Sequence, residues 1–127
     1  MKKKILIVED DQSSLLLFKL YVNKLMNIGD DNIITTDNGT DAINLFIENK
    51  ENIKFIIMNV GLNGKLNGYE TTKKILKINY IPIIIITARC LFGTKEESTL
   101  YDCLDFISKP CSIDDLKNVL INNNLLN

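Results

Sequence analysis

No histidine occurs in the 127 residues. That removes the commonest general base and metal ligand together, along with any phosphohistidine chemistry. Cysteine is scarce and poorly spaced for a cage. Cys90, Cys103 and Cys111 are odd in number and none lies in C-x-x-C spacing. This argues against a zinc site and for reduced, mostly buried thiols. An excess of one charge is missing too. Lys and Arg number 15 against 16 Asp and Glu, a net charge of -1. The chain therefore has neither the basic footprint of a nucleic-acid binder nor an acidic tail, and Lys2, Lys3 and Lys4 read as a solvated chain start. The apolar runs fall far short of the ~20 residues a membrane span needs. After "MKKK" the apolar stretch stops at Val8 and acids follow, unlike a signal peptide. A cytoplasmic protein is expected, with no direct nucleic-acid or membrane partner.

What is present is a repeating order. "ILIV" (Ile5–Val8), "NIITT" (Asn32–Thr36), "FIIM" (Phe55–Met58), "IIII" (Ile83–Ile86) and "DFIS" (Asp105–Ser108) are short and rich in β-branched or aromatic residues. Three of them are continuously apolar, which suits strands covered on both faces of a parallel sheet. Helix-length segments lie between. Gln12–Met26 places Leu15, Phe18, Val22 and Leu25 at helical spacing. Asp37–Asn49 can be capped by Thr40 or Asp37. Gly68–Asn79 sets Thr72, Ile75, Leu76 and Ile78 towards one side. Thr94–Leu104 is polar and weakly patterned. Ser112–Asn122 opens with a capping serine and two acids suited to a helix N-terminus, then lines up Ile113, Leu116 and Leu120. Five β-α units predict an α/β fold, a doubly wound five-stranded parallel sheet with flanking helices. Length and the absence of a linker predict one domain over 1–127, its core about 3–122 and its tail 123–127 frayed.

In such sheets function collects at the carboxyl ends of the strands, near the switch in strand order. Those ends carry Glu9, Asp10 and Asp11, then Asn59, then Thr87 and Ala88, then Ser108, Lys109 and Pro110. Clustered acids repel one another, and a hard divalent cation such as Mg²⁺ relieves this. A lysine offsets charge and holds a phosphoryl oxygen. Each feature taken singly describes a solvated strand end. Their appearance in order at consecutive ends is the signal.

With these residues in place, the chain resembles a response-regulator receiver domain of two-component signalling. The resemblance rests on "KKKILIVEDD", "FIIMNVGLNGKLNGYE", "PIIIITA" and "DFISKP" and runs from about Lys3 to Asn122. It implies the flavodoxin-like (βα)5 fold. It also implies that Asp10 is a direct Mg²⁺ ligand, Glu9 an outer ligand through water, and Gly61 a backbone-carbonyl ligand. Thr87 would be the switch hydroxyl, Phe106 the aromatic switch, Lys109 the phosphate-binding lysine, and Lys109–Pro110 a cis bond. The implied partner is a sensor histidine kinase or another signalling protein, met through the face of Thr94–Leu104, Asp105–Ser108 and Ser112–Asn122, with a homodimer left open. No output domain fits in this length.

The family's phosphorylated aspartate falls on Asn59. A carboxamide is uncharged and a poor nucleophile, so the phosphoacceptor position is expected to stay unphosphorylated and Mg²⁺ to bind weakly at Glu9, Asp10, Asn59 and Gly61. The chain is then a pseudo-receiver, by natural loss or by an engineered block, and not an enzyme. Asn67 stands where similar receivers often carry Asp and reads as a helix cap. Two alternatives fare worse. A flavodoxin-like cofactor protein needs a Gly, Ser or Thr phosphate loop where this chain has "EDDQSS". A Mg²⁺-dependent phosphohydrolase needs a cap domain that 127 residues cannot hold.

Overall fold

The computed structural model describes residues 3–88 and 103–126. Its elements follow in order: β1 (Lys4–Val8), α1 (Gln12–Met26), a 3-10 turn (Asp30–Asn32), β2 (Ile33–Thr36), α2 (Gly39–Asn49), β3 (Ile53–Asn59), α3 (Gly68–Ile78), β4 (Ile83–Thr87), β5 (Asp105–Ser108) and α4 (Ile113–Asn122). The sheet order is β2-β1-β3-β4-β5, and every pairing is parallel. This is the doubly wound α/β sheet predicted from the apolar runs.

Continuous apolar strands make sense once both faces are covered. Ile5, Ile7, Phe55, Ile57, Ile84 and Ile86 pack on one face with Phe18 and Val22 of α1 and Leu116 and Leu120 of α4. Leu6, Val8, Ile56, Met58, Ile83 and Ile85 pack on the other with Ala42 and Phe46 of α2 and Ile75 of α3. Each strand thus sends alternate residues into two cores. Fully burying such a side chain contributes about 1.5–3 kcal/mol, so the four isoleucines of β4 anchor both layers at once.

Several boundaries differ from expectation. β3 runs longer than Phe55–Met58 because Ile53 and Asn59 join the ladder. α2 is capped by Asn38, whose side chain accepts from the Asp41 N–H, and not by Asp37 or Thr40. On α3 the buried threonines are Thr71 and Thr72, while Ile78 points to solvent. Most of the expected helix Thr94–Leu104 lies outside the described residues. Its end is corrected, since the Leu104 N–H already donates to the Ile83 carbonyl beside β4. The tail is corrected as well: Leu125 is buried, and its N–H donates to Leu120 O at 2.8 Å.

Candidate functional site at the carboxyl ends of the strands

The chain goes from β1 to β2 on one side and returns to place β3 on the other. A crevice opens at that reversal, beyond the carboxyl ends of β1 and β3. Val8 pairs with Met58, so Glu9 emerges beside Asn59. Both share the sheet face of Ile7 and Ile57 by alternation. On the other flank Thr87 pairs with Ser108, which sets Lys109 at the next step. The Lys109 N–H holds this step by donating to Thr87 O at 2.7 Å.

The result is a cleft of about 490 Å³ whose lining includes three acids, two amides and one lysine. Glu9 is its centre and is only 1% exposed. The Lys109 ammonium lies 2.7 Å from Glu9 Oε1. The Asn59 side-chain amide donates to Glu9 Oε2 at 3.0 Å and to Asp10 Oδ1 at 3.2 Å. The Asp11 N–H also donates to Glu9 Oε2, at 3.2 Å. Both oxygens of a buried carboxylate are therefore satisfied by protein donors, as burial of a charge demands.

The amide orientation follows from chemistry. Turned the other way, Asn59 Oδ1 would face two carboxylate oxygens with no hydrogen between them. Asp11 faces outward and caps α1, accepting from the Ser14 N–H at 2.9 Å. That bond holds the Asp11 carboxyl below its ordinary pKa.

The structure brings Glu9, Asp10, Asn59, Gly61, Thr87 and Lys109 to one cleft. Phe106 is not among its lining residues. It is half-buried against the α2–α3 core. The Lys109–Pro110 bond is cis, as the resemblance implied. Asn67 caps α3 in a reciprocal pair with Glu70: its Oδ1 accepts from the Glu70 N–H, and its own N–H donates to Glu70 Oε1. It also lines the cleft.

The sequence marks Gly68 as half of a turn-forming Asn-Gly pair, and the structure gives it a tighter role. Its N–H donates to Val60 O at 2.9 Å, and a Cβ there would overlap the Asn59 carbonyl oxygen. The start of α3 is thereby pressed against the end of β3. The Asn67-Gly68 pair was the available signal, but it also describes an ordinary turn.

As donors for Mg²⁺ these groups fit poorly in the geometry present. Among the described residues no three Asp, Glu, Cys or His side chains group as a metal cage. The amide turns N–H, not oxygen, towards the two acids.

Comparison with known proteins agrees with this fold. The response regulator receiver domain family model matches residues 5–121. The polar-differentiation response regulator DivK of Brucella anthropi is 31% identical over 116 residues, covering 89% of both chains. The solved receiver domain of sensor histidine kinase PA1611 from Pseudomonas aeruginosa, with a magnesium ion coordinated in its active-site cleft, superposes with a TM-score of 0.78. It is 22% identical and covers 96% of this chain and 97% of that one. The CheX–CheY complex of Borrelia burgdorferi gives 0.82 at 15% identity, covering 94% and 87%.

Proposed function

The chain belongs to the receiver domain family of two-component response regulators, and on that premise we propose that it signals by protein contact without an aspartyl phosphate. The observation that carries this reading is the Asn59 amide engaged by Glu9 and Asp10, at the position the family resemblance gives to the acceptor. In a receiver a carboxylate oxygen at this point attacks phosphorus and forms an acyl phosphate. The carboxamide lacks the charge and the nucleophilicity for that step. Lys109, which would hold a phosphoryl oxygen, is bonded instead to Glu9.

The remaining roles follow the same assignment. Thr87 is the hydroxyl that would meet a phosphoryl group, and Phe106 the aromatic that would report its arrival. With the Asn59 amide turned over, Asp10, Glu9 through water, the Asn59 side-chain oxygen and the Gly61 carbonyl would hold Mg²⁺ only weakly, since the amide brings no charge. The domain is not an enzyme. Its partner is a sensor histidine kinase or another signalling protein, met on β5 and α4. Among the described residues no helix is long and apolar enough to cross a membrane, in keeping with a cytoplasmic domain.

Intact mass after incubation with acetyl phosphate and Mg²⁺ tests the reading. The native chain should gain nothing and Asn59→Asp should gain one phosphoryl group. A gain in the native chain would place the acceptor elsewhere. An inert Asn59→Asp would undo the roles of Glu9, Asp10 and Lys109.

A further inference from the structure

The Asn59 amide does more than fail as a nucleophile. We propose that this neutral amide takes over a counter-ion's role by hydrogen bonding alone, filling with two N–H groups the place where the acidic pocket would otherwise need a divalent cation. The proposal deepens the receiver reading and rests on it.

Three observations carry it. Asn59 Nδ2 has two hydrogens, and two carboxylates from adjacent residues lie in reach of them, Glu9 Oε2 at 3.0 Å and Asp10 Oδ1 at 3.2 Å. Glu9 is complete without a metal: Oε1 takes the Lys109 ammonium and Oε2 takes the amide and the Asp11 N–H. The residue is also buried, 7% exposed, so water does not substitute readily for either bond. An aspartate here would set oxygen against oxygen at the same separations, and like charges so placed need a cation between them.

Two opposite behaviours separate a counter-ion from a metal ligand. A ligand amide, presenting Oδ1, would weaken the response to Mg²⁺ when removed. A counter-ion amide blocks Mg²⁺, so its removal should open the pocket to the ion. In the native chain Mg²⁺ must break both N–H bonds before it can use the acids, and little net gain remains.

The experiment is a thermal melt of the full chain in EDTA and in saturating MgCl₂, comparing the native protein, Asn59→Ala and Asn59→Asp. The native midpoint should move by less than about 1 °C, and both variants should rise by about 5 °C or more with Mg²⁺. A native rise equal to or larger than that of Asn59→Ala overturns the proposal.

Should Asn59→Ala not fold, the native chain decides by NMR. The Asn59 side-chain NH₂ resonances should be resolved, slow to exchange and unmoved by Mg²⁺. Loss or displacement of those resonances on titration refutes the counter-ion role. Phosphorylation of Asn59→Asp by acetyl phosphate tests the receiver reading separately, so a metal-responsive native chain beside a phosphorylatable variant would sink this inference alone.

Discussion

Replacing Lys109 with methionine removes the cation on a carboxylate that cannot reach water. Glu9 is 1% exposed and Lys109 22% exposed, with Nζ and Oε1 2.7 Å apart. Breaking a buried pair from one side costs about 3–5 kcal/mol, because an uncompensated charge remains. Glu9 keeps the Asn59 and Asp11 donors, and the lysine is partly solvated, so the low end applies, about 3 kcal/mol. At about 2.1 cal/mol/K per residue, the 127 residues unfold with an entropy near 0.27 kcal/mol/K, and the midpoint should fall by about 11 °C.

The assay is urea and thermal denaturation of Lys109→Met, Glu9→Gln and the double variant. The glutamine variant leaves no buried charge behind, so the pair should be less destabilised together than the two single costs summed, with a coupling of about 2 kcal/mol. A loss below about 1 kcal/mol in Lys109→Met, or strict additivity, would refute the view that Glu9 depends on this ammonium.

Three further outcomes follow from the same structure. Gly68→Ala should destabilise by about 2 kcal/mol or more in urea, since its Cβ would overlap the Asn59 carbonyl and force α3 off β3; a neutral effect would show that the junction yields freely. Ser112→Ala should cost about 1 kcal/mol through loss of the cap on the Asp115 N–H, with an unchanged fold by circular dichroism. Burial, reinforced by Asp115, pushes the Cys111 thiol up to about 11 from 9.0. The folded state thus holds its proton longer than the unfolded chain, and the stability it contributes is full below pH 9 and lost as pH rises towards 11. Replacing Cys111 with alanine should flatten that alkaline loss in a pH series of urea melts.

How much of this was visible in the sequence differs from residue to residue. The sheet was legible because Ile5–Val8 and Ile83–Ile86 are apolar without alternation, a pattern that two covering layers require. The strand-end residues were legible because order along the chain maps directly onto position along the sheet edge in a β-α repeat.

The orientation of Asn59 was not legible. Whether an amide offers oxygen or N–H depends on what faces it across the 50 residues separating it from Glu9. The expectation of an oxygen turned to a metal gave way to N–H groups turned to acids. The cap of α2 was misjudged for a local reason. Asp37, Asn38 and Thr40 are all competent caps, and only the backbone path chose Asn38. Leu125 was hidden because three preceding asparagines suggest a solvated end. Asn124 instead takes a left-handed turn, φ 59°, that sends the chain back onto α4.

The hydrogen bond from the Val60 N–H to the Ile86 carbonyl, 3.1 Å, also bears on how the protein ages. Asparagine loses its amide when the next residue's backbone nitrogen closes on the side-chain carbonyl, giving a succinimide that hydrolyses to aspartate. For Asn59 that event would, on the function proposed above, create an acceptor carboxylate. Here the attacking nitrogen is tied into the sheet, belongs to a β-branched residue and would have to leave an extended strand to close the ring. Asn63-Gly64, exposed and with glycine at φ +100°, meets none of these obstacles. An old preparation that has gained one mass unit should therefore carry the change on the surface loop, while the buried position keeps its nitrogen and its silence.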